Sequence, residues 1–202
     1  MHRHFIVHKP YGYLSQFTAD PLKQKKKKVL GELHDFPEGT MAIGRLDEDS
    51  EGLLLLTTDG KMSEYVRSKK IAKEYYAQVD GLITDEALAQ LQQGVAITVG
   101  KEKYTTLPCA AFRLETNPDF AERSRRIRDE RHGPTSWVSI TLSEGKNRQV
   151  RRMTAAVGFP TLRLVRVRVG TIHLSDLQTQ VVKEVASFLP AGEELPDAAT
   201  EL

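Results

Sequence analysis

The sequence predicts an α+β fold: a mixed, mostly antiparallel sheet with flanking helices. Strand-length runs recur along the whole chain, helical periodicity is confined to a few short stretches, and no segment repeats. At 202 residues the chain is long enough for one large domain or two small lobes around a cleft. Hydrophobic residues make up 40%, which is enough for a buried core.

The elements follow in order. Phe5-Ile6-Val7 reads as a short strand stopped by Lys9-Pro10-Tyr11-Gly12. The run Lys23 to Lys28 is basic apart from Gln24 and is expected to be a loop, because like charges this dense rarely pack. Met41-Ala42-Ile43 leads as a strand into an acidic turn. Leu53 to Thr57 is a continuous apolar run, as in a strand buried on both faces. Lys61 to Arg67 reads as a short helix and Tyr75 to Val79 as a strand. Thr84 starts a helix with Asp85 and Glu86 in its first turn and Gly94 past its end. Val95 to Val99 and Leu107 to Leu114 are further strands. Glu115 to Pro134 is long, polar and rich in arginine, a length at which loops are functional or disordered. Ser136 to Leu142 alternates except at Trp137 and Val138. Gly145-Lys146-Asn147 opens a helix through Val157 with a stripe at Val150, Met153, Thr154 and Val157, ended by Gly158 and Pro160. Thr161 to Gly170 alternates again, with Arg163, Arg166 and Arg168 among the branched residues.

Composition narrows the function classes. No apolar run approaches the roughly 20 residues of a membrane span. The N-terminus lacks the apolar stretch and cleavage site of a signal peptide. Cys109 is the only cysteine, so a disulfide framework and a cysteine-rich zinc site are excluded, and no metal site is expected. A cytoplasmic protein is expected. Net charge is +2 but uneven. The stretch from Ala191 to Leu202 carries Glu193, Glu194, Asp197 and Glu201; removing these four leaves 29 basic against 23 acidic residues. From Arg123 to Arg168 there are twelve Arg and Lys and three acids. That half is either a solvated surface or the seat of an anionic partner such as nucleic acid.

The acidic turn Gly44-Arg45-Leu46-Asp47-Glu48-Asp49-Ser50-Glu51-Gly52 admits several readings. As a calcium loop, Asp47, Asp49, Glu51 and Gly52 fit its first half, but the closing glutamate position holds Thr58 and four leucines stand between. As a solvated turn it would be inert. A resemblance favours a third reading. Gly44-Arg45-Leu46-Asp47 with Ser50-Glu51-Gly52-Leu53-Leu54-Leu55 resembles the signature of RNA pseudouridine synthases of the branch typified by the small-subunit enzyme, with Ser50 where threonine is commoner. Lys73-Glu74-Tyr75 resembles that family's basic-x-Tyr block, and Gly145-Lys146-Asn147-Arg148-Gln149-Val150-Arg151-Arg152-Met153 its third block. His8-Lys9-Pro10-Tyr11-Gly12 matches its opening strand and turn. Three blocks in the right order are specific, and the resemblance spans Phe5 to Gly170. Pro134 to Trp137 and Gly158 to Leu164 are similar to a subgroup acting on large-subunit (23S) ribosomal RNA.

The resemblance implies two lobes around a basic active-site cleft. Residues 1–190 are expected to form the catalytic domain and 191–202 an acidic tail, with no room before Phe5 for the small S4 RNA-binding domain of many relatives. It implies that Asp47 is the catalytic carboxylate, as nucleophile or as base, and that Arg151 pairs with it. Tyr75 would stack on the flipped uracil and Arg45 would hold the extruded state. Leu53 and Val150 would line the pocket, or simply belong to the core. Backbone contacts are expected from Lys73, Arg123, Arg125, Arg126, Arg148 and Arg152, with Arg163, Arg166, Arg168 and Lys25 to Lys28 as further sources. Isomerisation of uridine involves no redox change, so no cofactor is expected and the partner is ribosomal RNA alone. Nothing calls for an obligate partner subunit, so a monomer is expected. A non-catalytic RNA-binding or ribosome-assembly protein would explain the basic half equally well, but Arg45, Asp47, Tyr75 and Arg151 together favour the enzyme.

Overall fold

The computed structural model describes residues 1–18, 27–68, 71–127, 130–193 and 195. The lysine run at 23–28 and the acidic tail at 191–202 fall largely outside the described residues. The strands are β1 (His4–Lys9), β2 (Met41–Ala42), β3 (Glu51–Thr57), β4 (Lys73–Asp80), β5 (Ala96–Val99), β6 (Glu102–Thr105), β7 (Ala110–Arg113), β8 (Thr135–Leu142), β9 (Thr161–Val169), β10 (Ile172–His173) and β11 (Val182–Val185). The helices are α1 (Gly60–Arg67), α2 (Asp85–Gln93) and α3 (Gln149–Ala156). A nine-stranded sheet runs β11-β1-β3-β9-β4-β8-β7, with β2 on β3 and β10 on β9. The strands β5 and β6 form a separate hairpin.

Every pairing in the main sheet is antiparallel except one. β3 meets β9 in parallel over only Glu51↔Val165 and Gly52↔Arg166. This short seam joins two halves, each with its own core. On one side, β3 is buried along its whole length. Leu53 and Leu55 face Met62, Val66, Val169 and Leu177, whereas Leu54 and Leu56 face Phe5, Val7, Leu30 and Leu46. Two-faced burial explains why a strand reads as four leucines in a row. Each contributes roughly 1.5–3 kcal/mol of apolar burial. On the other side, Ala77, Val138, Ile140 and Leu164 of the sheet pack on Leu88 and Leu91 of α2 and Val150 and Met153 of α3.

Local signals set the helix ends. Asp59 caps α1 by accepting from the N–H groups of Lys61 and Met62, and Thr84 caps α2 through Ala87 N–H. The third helix starts at Gln149, later than its sequence suggests. Arg148 before it has φ 52°, a left-handed turn that ends the Gly145–Asn147 loop. Sequence reading misses β6, β10 and β11. The first is almost wholly exposed, the second spans two residues, and the third is an edge strand whose Glu184 faces Arg3 at 2.7 Å. None shows the apolar alternation that marks a half-buried strand.

Gly52 fixes the seam. Its φ is 103°, and a Cβ there would lie 2.7 Å from the Arg166 backbone nitrogen and 2.9 Å from the Val165 side chain. Two costs would therefore add in Gly52→Ala: left-handed strain and a backbone clash. The expected loss is about 3 kcal/mol or more, read as a large fall in the urea midpoint. A variant within about 0.5 kcal/mol of wild type would show that the seam can relax.

Candidate active site

The loop between β2 and β3 carries Asp47. It is tied down from both ends. Leu46 is buried, and Ser15 Oγ donates to Leu46 carbonyl (2.8 Å) while accepting from Leu46 N–H (3.0 Å). Gly12 N–H donates to Glu48 carbonyl at 2.8 Å, and Ser50 N–H closes a turn on Asp47 carbonyl at 3.0 Å. Lys27 pairs with Glu48 at 2.7 Å. Lys9, fully buried, donates to the carbonyls of Pro10 (3.1 Å) and Tyr13 (2.7 Å), fixing the turn that holds the loop. Burial pushes the Lys9 amine down to about 8, against the pull of Glu51, Asp49, Asp47 and Glu48.

Asp47 faces a cavity of about 570 Å³ lined also by Arg45, Tyr75, Leu142, Arg148, Val150 and Leu164. Thus Asp47, Arg45, Tyr75 and Val150 do converge. Asp47 and Arg45 come from the acidic loop, Tyr75 from β4 and Val150 from the first turn of α3. Arg45 is exposed and makes no hydrogen bond or ion pair with the described residues.

The carboxylate's ion pair differs from the expectation. Asp47 Oδ2 lies 3.3 Å from Arg148 Nη1, not against Arg151. Arg148 also grips Asp49 with both terminal nitrogens, at 2.9 and 3.0 Å. Arg151, one turn further along α3, reaches Asp49 carbonyl (2.8 Å) and Ser50 Oγ (3.3 Å), so it braces the backbone behind Asp47. The left-handed turn at Arg148 explains the swap, since it throws that side chain across the loop ahead of the helix. Arg151 Nε is buried without a hydrogen-bond partner, and burial lowers the guanidinium's pKa against the attraction of Asp49. For Asp49 itself, burial alone would raise the pKa. Hydrogen bonds from Arg148 and the charge of Arg151 outweigh it and hold the carboxyl below its ordinary range.

Other expected contacts resolve differently. Leu53 is 0% exposed and belongs to the core beneath the loop, not to the cavity wall. It sits on the central strand, where both faces are covered. Arg152 turns toward β5, donating to Thr98 carbonyl and to Asn147 carbonyl (3.0 Å). Arg163 pairs with buried Glu51 at 2.8 Å and Arg168 with Glu74 at 2.8 Å, while Arg166 donates its Nε to Leu53 carbonyl at 2.7 Å. Arg163 and Arg168 are structural, because their carboxylate partners lie across the sheet, whereas Arg166 is anchored to the described residues through its Nε alone. Arg123 sits over the Tyr11 ring at 4.6 Å and donates to Arg125 carbonyl; Arg125 and Arg126 are exposed. Lys73 lines a neighbouring cavity. Among the described residues no group of three or more His, Cys, Asp or Glu could hold a metal ion, and no helix is long and apolar enough to cross a membrane.

Sequence reading missed Ser15 and Glu144. Glu144 is buried and accepts from Tyr104 Oη (2.5 Å), Leu107 N–H (2.9 Å) and Gln149 Nε2 (2.6 Å). Gln149 Oε1 in turn accepts from Lys146 N–H at 2.8 Å. The network shapes the loop that presents Arg148. A carboxylate after a strand carries no sequence signal of such a role, because two of its partners lie 37 and 40 residues away.

Against this geometry stand the comparisons with known proteins. The sequence profile described as RNA pseudouridylate synthase matches residues 3–156. The chain belongs to this family, whose members isomerise uridine in RNA. It is 43% identical over 183 residues to a ribosomal large subunit pseudouridine synthase E of Vibrio vulnificus, covering 90% of this chain and 74% of that one. A protein of the same name from Xanthomonas axonopodis pv. citri is 42% identical, covering 85% of this chain and 88% of that one. A crystal structure of a pseudouridylate synthase superposes with a TM-score of 0.69 at 25% identity, covering 92% of this chain and 70% of that one.

The Glu144 network makes a pH prediction. Burial would raise the Glu144 pKa, but its hydrogen bonds from Tyr104, Leu107 and Gln149 and the charge of Lys146 hold it below the ordinary 4.5. A depressed carboxyl stabilises the fold above its unfolded value and loses that contribution as pH falls through the folded value. The urea midpoint of wild type should therefore exceed that of Glu144→Gln near neutrality, and the gap should shrink below about pH 4.5. A gap independent of pH would mean that Glu144 acts only through its shape.

Proposed function

We propose that this chain converts a uridine of large-subunit (23S) ribosomal RNA to pseudouridine, with Asp47 as the acting carboxylate. The observation that carries this reading is the convergence of Asp47, Tyr75 and Arg148 on one cavity from three separate elements. The names of the two relatives support the choice of RNA. The protein works in the cytoplasm as a monomer and without a cofactor.

Asp47 is partly exposed to the cavity and held by Arg148, which keeps its carboxylate aimed at the ribose of an extruded nucleotide. It acts as nucleophile or as base while the bond from ribose C1′ to uracil N1 breaks. The freed base turns and a bond forms from C5 to C1′. The C5 proton is lost and N1 regains one, so the product is an isomer. Tyr75 supplies a flat face for the uracil, worth roughly 1–3 kcal/mol of stacking. Val150, Leu142 and Leu164 exclude water from its edge. Arg45, exposed two residues before Asp47 and without a partner among the described residues, stands ready to occupy the gap left in the stack. Arg151 keeps the loop backbone in register from behind.

Release of tritium from RNA labelled at uracil C5 tests the assignment. Asp47→Asn should reduce release by at least about a thousandfold with RNA affinity changed little. Activity within tenfold of wild type would end Asp47's role. A second comparison separates the two arginines. Arg148→Ala removes the ion pair to Asp47 and should lower single-turnover rate on the order of a hundredfold. Arg151→Ala should lower the urea midpoint as well as the rate, because it holds the Asp49 carbonyl and the Ser50 hydroxyl. The reverse pattern, with Arg148 dispensable, would show that Arg151 takes over the carboxylate once RNA is bound.

A further inference from the structure

A second cavity of about 440 Å³ adjoins the first. Arg45, Tyr75, Glu144, Gly145 and Lys146 line both, so these residues form the wall between them. Its floor is apolar, from Ile43, Leu55, Val66 and Val169. Its remaining charges are cationic: Arg67 at the end of α1, Lys73 at the start of β4, and Arg166 of β9. Among the described lining residues the only acid is Glu144, and its oxygens are taken by Tyr104, Leu107 and Gln149.

Two of these cations are held in an unusual state. Arg166 is 4% exposed, yet only its Nε has a hydrogen-bond partner among the described residues. Its two terminal nitrogens are not sealed off as buried orphans. Lys73 donates to Ile71 carbonyl at 2.8 Å and has no carboxylate among its described partners. Burial first, then the charge of Arg166, pushes its amine down to about 8. Two cations placed side by side beneath the surface repel one another unless an anion joins them. Tyr104 adds an aromatic face under Lys146, whose Nζ lies 4.6 Å from the ring centroid. A cationic rim over an apolar floor with an aromatic wall is the chemistry that receives a nucleotide.

We propose that this second cavity seats the nucleotide next to the extruded uridine on the same RNA strand, its phosphate bound between Arg67, Lys73 and Arg166. The proposal rests on the reading of the first cavity as the uridine site. The wall shared by the two cavities lets one strand pass from one to the other, with Tyr75 between the two bases. Phosphate contacts of this kind fix register, so the cavity sets which linkage lies beside Asp47.

The test uses a fluorescein-labelled RNA heptamer with one central uridine between adenosines, in which each phosphate in turn is replaced by an uncharged methylphosphonate. Binding by anisotropy is compared for wild type, Arg67→Gln and Lys73→Gln. Arg67 is exposed and Lys73 keeps its backbone bonds, and equal urea midpoints check that both variants fold. Each variant should weaken binding roughly ten- to a hundredfold, the size of one charge-assisted hydrogen bond. The salt slope should fall by about 0.7 for each phosphate that is no longer neutralised. Methylphosphonate at one linkage beside the uridine should weaken wild type similarly and add little to either variant. Equal affinity of wild type and variants, weak or strong, overturns the proposal. So do effects that multiply at every linkage. Inorganic phosphate alone is titrated against thermal stability. Stabilisation by phosphate that disappears in the variants, with heptamer binding unchanged, would mean a free-anion site and also overturn it. Tritium release by Asp47→Asn is read separately, so failure of the uridine site and failure of the second cavity are told apart.

Discussion

The whole site depends on a two-residue parallel contact between β3 and β9. There the halves of the sheet approach so closely that only glycine fits at position 52. Around this contact the chain concentrates polar ties. Glu51 and Arg163, 4% and 8% exposed, form a bidentate pair at 2.8 and 3.0 Å, and Arg166 Nε crosses to Leu53 carbonyl. Such a buried pair adds little net stability over apolar residues, yet losing one partner costs about 3–5 kcal/mol. Its value here lies in register. A slip of one residue would turn every side chain of β3 to the wrong face. It would also carry the Asp47 loop, which ends at Ser50, out of line with α3.

That dependence explains how the acidic loop can be so charged and still so fixed. Asp47, Glu48, Asp49 and Glu51 repel one another, and each is answered from a different direction: Arg148, Lys27, Arg148 with Arg151, and Arg163. The partners come from both halves of the sheet, so the loop is positioned by the seam and not by its own sequence. Arg148 adopts a left-handed backbone, which costs about 1–2 kcal/mol in a residue with a Cβ. The hydrogen bonds of Gln149 to Lys146 and Glu144 hold the turn against that strain.

Much of this was legible in the sequence. The buried leucine strand, the caps at Asp59 and Thr84, and the family blocks around Asp47, Tyr75 and Gln149 are local patterns, and each found its place. What stayed hidden is pairing at long range. Arg163 and Glu51 are 112 residues apart, and Arg168 and Glu74 are 94 apart. Alternating arginines on a strand therefore read as an RNA-facing row, when most of them point at acids of the neighbouring strands. The exchange of Arg148 for Arg151 at Asp47 hinges on one backbone dihedral, and a motif fixes spacing but not that angle. Ser15 and Glu144 are missed for the same reason, since a hydroxyl or carboxylate shows its role only through partners the chain brings from afar.

The distribution of charge follows. The basic half is not a uniform nucleic-acid surface. Arg152, Arg163 and Arg168 are engaged within the protein, and Arg148 and Arg151 are committed to the acidic loop. Five cations line the two cavities without a carboxylate partner among the described residues: Arg45 and Lys146 on their shared wall, Arg67, Lys73 and the end of Arg166 in the second. Because these few are carried by the loop before β3, the end of α1, β4, β9 and the loop before α3, they hold fixed spacing only while the seam holds. Positive charge that is sparse and rigidly spaced selects a particular path of phosphates, whereas a diffuse basic face would attract any strand. The same contact that positions the Asp47 loop thus also spaces the cations of the two cavities.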